Sequence, residues 1–350
     1  MHTSTTASPF TLITDPLTPW WESDLASDRG TALVSCVNNS APVRKMITGL
    51  QEFWGLSGTS TQLEQWDALA ATAAIDVAAA RMLEPHLDAL GILAEAGSGT
   101  PEPGTTWGVF AAEAPGTVLS AIDLDEGTVH LIGEKPWCSL ASQLSHAIVT
   151  AYHGQMSRAF AVSLTDPGVH PSTAPWPSLG LSEIPSGSVT FDYAQATVVG
   201  PTGWYLDRPS FAWGGIRVAA CWFGGALGLA RSAAQRHFAR PQPSPLGNLT
   251  LGQLDAEIFA ARSALAQAAQ AADGSEAYTR DEAWELALRV RNIVYRGSQR
   301  IAQLARELAG PAALTGDRSF AKADADLTVY LSQHHGARDE AALGDVIVTG

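Results

Sequence analysis

The residue types best suited to chemistry stand together at 130–143, HLIGEKPWCSLASQ, where a strand-like run ends in Gly-Glu-Lys. A tryptophan, a thiol and a hydroxyl follow in consecutive positions, Trp137, Cys138 and Ser139. A large flat ring can stack on a flat ligand while a neighbouring hydroxyl bonds its polar edge. The simpler interpretation of Trp137 is a core aromatic at a sheet edge. For Cys138 we expect a small buried hydrophobic residue rather than a redox thiol.

A second candidate is the pair His334 and His335, the only histidine cluster in the chain. Histidine titrates near neutral pH, so a histidine facing a site could carry a proton to or from a substrate. Adjacent residues on a helix point about 100° apart, so at most one of the two faces any one site. The alternative is a surface pair beside Arg338 and Asp339.

Composition excludes several classes of protein. The chain has 350 residues and a formal charge of −14, which disfavours binding to nucleic acid and to anionic lipid. Its three cysteines are far apart, so we expect no disulfide and a cytoplasmic location. No basic, apolar leader opens the sequence, and the longest apolar run, at 218–230, is too short to span a bilayer. No HExxH, P-loop, GxSxG or dinucleotide-binding motif supports a hydrolase, metalloenzyme or Rossmann protein.

The order of elements predicts an α+β protein that is mainly α. Residues 1–105 have helical periodicity, with a helix near 62–83 that Pro85 is expected to break or restart and a helix end at Gly97. Residues 106–208 show short strands and hairpin signals, which predict a small antiparallel sheet or barrel. Residues 209–350 return to helical periodicity and predict a four-helix up-and-down bundle.

This order, together with the 130–143 stretch, resembles the acyl-CoA dehydrogenase family of flavoproteins over nearly the whole chain. In that family a Gly-x-Lys leads to a tryptophan and, two residues on, to a hydroxyl residue, and here these are Gly133, Lys135, Trp137 and Ser139. The resemblance implies that Trp137 packs against the flavin ring. It also implies that Ser139 hydrogen-bonds near the N5 and O4 atoms of the ring.

Further site residues follow from the same resemblance. It implies FAD as cofactor, Trp107 as a flavin-site aromatic, Cys138 beside the ring, Arg236 near the pyrophosphate and Gly310 in a turn that meets the cofactor of a neighbouring subunit. In the branch with flavin-dependent hydroxylases a histidine faces the flavin, and His334 and His335 are the candidates. The chain departs from the family in its flavin loop, where Phe110 replaces a threonine. It also departs at the catalytic glutamate, whose place falls near Ser332.

The leading functional hypothesis is an FAD-dependent oxidoreductase acting on the CH–CH group of an acyl-thioester-like substrate such as an acyl-CoA, with its base unassigned. One alternative is a flavin-dependent monooxygenase that uses reduced flavin and oxygen. Another is a non-catalytic member of the fold that serves as a binding or assembly subunit. The resemblance also implies a homodimer or homotetramer, with an electron-transfer or reductase partner.

Overall fold

A computed structural model describes residues 11–13, 19–23, 25–37, 41–125, 127–208, 210–242, 244–274 and 278–349. The helices are α1 Asp28–Cys36, α2 Val43–Trp54, α3 Gln62–Ala73, α4 Val77–Glu95, α5 Trp204–Asp207, α6 Ser210–Phe238, α7 Pro245–Ala272, α8 Arg280–Ala309, α9 Pro311–Gly316, α10 Arg318–Leu331 and α11 Ala337–Thr349. The strands are β1 Trp107–Phe110, β2 Leu119–Asp125, β3 Thr128–Lys135, β4 His146–His153, β5 Met156–Ser163, β6 Val169–Pro171 and β7 Val189–Val199.

The chain divides into two compact units. The helical unit comprises the described residues of Met1–Val37, Thr61–Ala80 and Ala212–Gly350, and the β unit those of Asn38–Ser60 and Arg81–Phe211. The first hundred residues therefore contribute helices to both units. The predicted three-domain division, 1–105, 106–208 and 209–350, stays a prediction.

The long α6 helix of the helical unit owes its packing to small residues. A Cβ at Gly224 would lie 2.2 Å from the carbonyl oxygen of Ala70, and one at Gly228 would lie 2.4 Å from that of Ala74. Only glycine lets the two backbones come this close. The apolar run at 218–230 is thus a buried helix, as predicted, and no helix among the described residues is long and apolar enough to cross a membrane.

The remaining bundle helices have clear start signals. Thr279 caps α8 through a reciprocal bond pair with Glu282, a capping box that satisfies two exposed backbone donors. Asp317 caps α10 by accepting from two backbone N–H groups. Asp324 lies inside α10 and pairs with Arg306 of α8. The mainly α fold with a bundle is confirmed.

The β unit forms a closed, mixed sheet. Hairpins join β2 to β3 and β4 to β5, as predicted, and β3, β7 and β5 pair antiparallel. The ring closes because β4 pairs with both β2 and β5. The pairings β1–β4 and β2–β4 are parallel, so the sheet is not wholly antiparallel. The predicted antiparallel pairings are present, and the two parallel pairings of β4 were not predicted because hairpin signals reveal sequential neighbours and carry no information on pairings made across the chain.

Helix α4 continues through Pro85 instead of breaking there. Proline removes one backbone hydrogen bond, but the buried face of this helix, with Leu83, Leu87 and Leu90, holds it in place. The helix ends as predicted near Gly97, which has φ +64° and donates its N–H to the carbonyl of Ala94.

Candidate functional site

The segment Pro136–Ala141, here named the Trp137 loop, follows directly on the end of β3 in the β unit. Proline has no N–H for the ladder, so the strand pairing stops at Lys135. Two backbone hydrogen bonds then fix the loop to the segment that precedes β7. The Cys138 N–H donates to the Gly187 carbonyl and the Leu140 N–H to the Pro185 carbonyl, both at 2.8 Å. The loop is therefore held in place by bonds of its backbone.

The side chains of the adjacent residues Trp137 and Cys138 point in opposite directions, one outward and one inward. Trp137 is 60% exposed and has φ +58°, a left-handed conformation that disfavours a side chain by about 1–2 kcal/mol. Cys138 is buried, as expected, and its thiol donates to the carbonyl of Lys135 at 3.3 Å. Burial raises the pKa of Cys138 to about 12, although nearby Lys135 opposes the shift. Cys138 is thus a packed thiol that shapes the loop, and Trp137 presents a bare flat ring.

Ser139 lies beside that ring and belongs to a small hydrogen-bond network. Its hydroxyl lies 2.8 Å from the hydroxyl of Ser186 and 3.4 Å from a guanidinium nitrogen of Arg81. The Ser186 hydroxyl in turn donates to the carbonyl of Ile184 at 3.1 Å. Sequence reasoning missed Ser186 and Arg81, because they lie 47 and 58 positions away and match no motif.

Lys135, which entered the sequence argument only as part of a motif, is a buried amine. It is 4% exposed and donates to the Thr150 hydroxyl at 2.9 Å. Burial lowers its pKa, while Glu113 opposes the shift. A cavity of about 120 Å³ adjoins it, lined among others by Glu113, Glu134, Thr150 and Tyr152. The buried Lys135 side chain thus anchors the end of β3, where the Trp137 loop begins.

Trp107 lies elsewhere in the β unit, at the start of β1. Its ring is buried and stacks on His146, with centroids 4.6 Å apart, and its indole N–H donates to Thr105 at 3.0 Å. The Trp107–His146 pair borders an open cavity of about 450 Å³ on the sheet. Among the described residues no hydrogen bond or ring contact joins Trp107 to Trp137, so its flavin role stays a prediction. Phe110, which replaces the family's threonine, is also buried.

The predicted catalytic histidines lie in the helical unit, in contrasting surroundings. His334 has a side chain with 0% exposure that stacks on Tyr295 at 4.0 Å. Its Nδ1 accepts from the Gly336 N–H at 3.0 Å, so Nε2 carries the proton and donates to Asn292 Oδ1 at 2.8 Å. Burial lowers the pKa of His334, with Asp339 opposing. Both nitrogens are thus engaged inside the unit.

His335 points outward, with a side chain 65% exposed that pairs with Asp339 at 3.1 Å. The two rings diverge as expected, although both residues lie in the connection between α10 and α11 and not on a helix. The catalytic role assigned to either histidine stays a prediction. The structure assigns a clear packing role to His334 only.

Two predicted cofactor residues also lie in the helical unit. Arg236 near the end of α6 forms an ion pair with Asp317, the cap of α10, and its Nε has no partner among the described residues. Gly310 joins α8 to α9 at φ +77°, and a Cβ there would meet nothing within 4 Å. The predicted site residues therefore form one group by adjacency, Trp137 to Ser139, while the others are dispersed within their units.

Comparison with known proteins gives a fold but no family. No protein-family model matches the chain, and no curated protein matches its sequence. Among solved structures, KijD3 in complex with FMN and a dTDP-linked amino-keto sugar matches at 18% identity and TM-score 0.77, covering 98% of this chain and 96% of that one.

Two further structures match to a similar degree. Dibenzothiophene monooxygenase TdsC from Paenibacillus sp. A11-2 has 15% identity and TM-score 0.77 over 92% of this chain and 95% of that one. Nitrososynthase from Micromonospora carbonacea var. africana has 18% identity and TM-score 0.73 over 98% of this chain and 100% of that one. The chain thus has the acyl-CoA dehydrogenase-like fold that its element order predicts.

Proposed function

We propose that this chain is a flavin-dependent monooxygenase that receives reduced flavin from a reductase partner. The observation that carries the proposal is the Trp137 loop, in which a strained backbone holds an exposed flat ring next to a hydrogen-bonding hydroxyl. Strain of this kind persists only where surrounding structure enforces it, and it clusters at ligand sites. The fold supports the proposal, because solved structures with this fold contain FMN.

The residues of the Trp137 loop fit a flavin. An exposed indole offers a stacking surface for the isoalloxazine ring, and Ser139 offers a polar contact to its edge. When bound, the flavin supplies electron transfer and, in its reduced form, reaction with oxygen. The protein's own contribution is to bind the ring, orient it and exclude competing reactions.

We prefer monooxygenation to dehydrogenation because Ser332 stands near the place of the family's catalytic glutamate. Ser332 closes α10 and its hydroxyl donates to the Thr328 carbonyl at 3.0 Å. A hydroxyl cannot remove an α-proton at neutral pH, whereas oxygenation by reduced flavin does not require a carboxylate there. The acyl-thioester dehydrogenase remains the second candidate. It is supported by the Gly133, Lys135, Trp137 and Ser139 pattern.

The cofactor we propose is FMN in place of the FAD expected from the resemblance. FAD needs a cation for its pyrophosphate, and the candidate, Arg236, is ion-paired with Asp317. FMN lacks that pyrophosphate and is the flavin present in the KijD3 and TdsC complexes. Chromatography of flavin released from the purified protein decides between the two.

We also propose a homodimer or homotetramer. On α7 the large apolar residues Leu246, Leu249 and Phe259 are 75%, 60% and 56% exposed. Leu246 and Leu249 lie one turn apart on this helix, and neighbouring exposed apolar residues can form part of a contact between subunits. Light scattering coupled to gel filtration gives the mass, and a monomer at micromolar concentration would contradict the proposal.

The visible spectrum tests the proposed function. We expect added FMN to bind and to remain with the protein as yellow flavin through gel filtration. An external reductase with NADH should then bleach the flavin, and oxygen uptake should follow. Bleaching by an acyl-CoA alone would support the dehydrogenase. Failure to bind any flavin would favour the non-catalytic role. A Trp137→Ala variant should lose at least tenfold in FMN affinity, since stacking on an aromatic ring contributes about 1–3 kcal/mol.

A further inference from the structure

The hydroxyl pair of Ser139 and Ser186 has a preferred direction. Each hydroxyl carries one proton, and the Ser186 proton has two possible acceptors, the Ile184 carbonyl at 3.1 Å and the Ser139 oxygen at 2.8 Å. The Arg81 guanidinium offers only donors, so its contact with Ser139 at 3.4 Å uses a lone pair of Ser139.

Counting hydrogen bonds decides the direction. If Ser186 donates to Ile184, Ser139 donates to Ser186 and accepts from Arg81, which makes three bonds. If Ser186 donates to Ser139 instead, the Ile184 bond is lost and only two remain. One net hydrogen bond favours the first arrangement by roughly fivefold in population. The Ser139 hydroxyl therefore donates mainly to Ser186, which leaves a lone pair of Ser139 for a ligand.

From this arrangement we infer that Ser139 presents a lone pair, and not a proton, to its ligand. The inference rests on the proposed function and deepens it. The N5 atom of a flavin is a hydrogen-bond acceptor when the ring is oxidised and carries a hydrogen when the ring is reduced by two electrons. A hydroxyl that preferentially accepts at N5 therefore stabilises the reduced ring relative to the oxidised one.

The consequence is selection of the redox state at binding. Reduced flavin enters from its reductase and is retained, and oxidised flavin is released after turnover. Ser186 is a positioning residue in this scheme, since it acts only through Ser139. A dehydrogenase, which must hold its oxidised flavin while substrate binds, would gain nothing from such a bias.

The test compares the dissociation constants of oxidised and dithionite-reduced FMN for the purified full chain. In Ser186→Ala the Ser139 proton loses its acceptor and can turn to oxidised N5. We expect the ratio of oxidised to reduced dissociation constants to fall about fivefold, which lowers the two-electron potential of the bound flavin by about 20 mV. Ser186→Thr keeps the hydroxyl and should restore the wild-type ratio. Ser182→Ala, on the same segment but with its hydroxyl on Glu183, should leave the ratio unchanged.

The possible outcomes distinguish failure of the redox bias from failure of the proposed function. If wild-type protein binds FMN and Ser186→Ala shifts the ratio by less than twofold, the redox bias is wrong and the proposed function stands. If wild-type protein binds neither redox form, both are wrong. If Ser186→Ala does not fold, a wild-type ratio near one would still overturn the bias, and a ratio well above one that persists in Ser186→Thr would support it.

Discussion

The Trp137 loop and the surroundings of His334 are the two regions where the sequence concentrates reactive residue types, and their structures are opposite. In the loop, an aromatic ring is exposed on a strained backbone next to a serine hydroxyl. Around His334, the ring is stacked and buried, and both nitrogens are bonded within the unit. Residue type alone therefore does not identify a site. Unused bonding capacity next to strain is the stronger indicator.

The largest expected effect tests the structural role of His334. His334→Ala removes a buried stacked ring and leaves the Asn292 oxygen and the Gly336 N–H without their partner. We expect the free energy of unfolding to fall by about 3 kcal/mol, measured by urea denaturation. The control His335→Ala removes an exposed ring and should change it by less than about 0.5 kcal/mol. Similar losses in both variants would contradict the contrast.

A pH effect of similar size is expected from His86, the buried histidine of the β unit. Its Nδ1 accepts from the Trp107 N–H and its Nε2 bonds Gln51, and burial lowers its pKa to about 4. The unfolded chain, with an ordinary pKa of about 6.5, binds more protons between these values. The stability from His86 is therefore present above pH 6.5 and is lost as pH falls towards 4, by up to about 3 kcal/mol.

The measurement for His86 compares wild type with His86→Gln by thermal unfolding at several pH values. The variant keeps a hydrogen-bonding side chain but cannot titrate. We expect the wild-type curve to fall more steeply between pH 6.5 and 4 than that of the variant. Parallel curves would show that His86 titrates normally in the folded protein.

A smaller effect, with opposite signs on stability and binding, is expected for Trp137→Gly. Glycine accepts the positive φ without strain, so the free energy of unfolding should rise by up to about 1 kcal/mol, while FMN affinity falls at least tenfold. Tyr193→Gly is a matched control, since Tyr193 is also exposed at φ +56°. It should relieve similar strain with FMN affinity retained. An equal loss of affinity in both variants would contradict a specific role of Trp137.

The last prediction concerns the chemical reactivity of the buried Cys138 thiol and requires no substitution. Because burial raises the pKa of Cys138 to about 12, almost none of its thiol is ionised at pH 8. Since the thiolate is the reacting species, iodoacetamide should label half-buried Cys36 at least tenfold faster than Cys138. Peptide mass spectrometry of the folded protein reads the rates. Rapid labelling of Cys138 would show that the loop opens in solution.

The amino-acid sequence by itself determined the order of elements, since hydrophobic periodicity and turn signals are local properties of the chain. It placed α6, the hairpins and the end of α4 at Gly97, and it marked Trp137 and Ser139. It misjudged Pro85, because a proline signal does not report how strongly the buried leucines of α4 hold the helix.

Only the tertiary structure decided the parallel pairings of β4, the burial of His334 and the partners of the Ser139 hydroxyl. Each of these depends on atoms far apart in the chain, such as Ser139 with Ser186 and Arg81, or His334 with Asn292. Distant contacts fix which reactive groups are already satisfied. The physical reason is that a side chain's chemistry is set by its unused hydrogen bonds and its exposure, and the folded chain determines both.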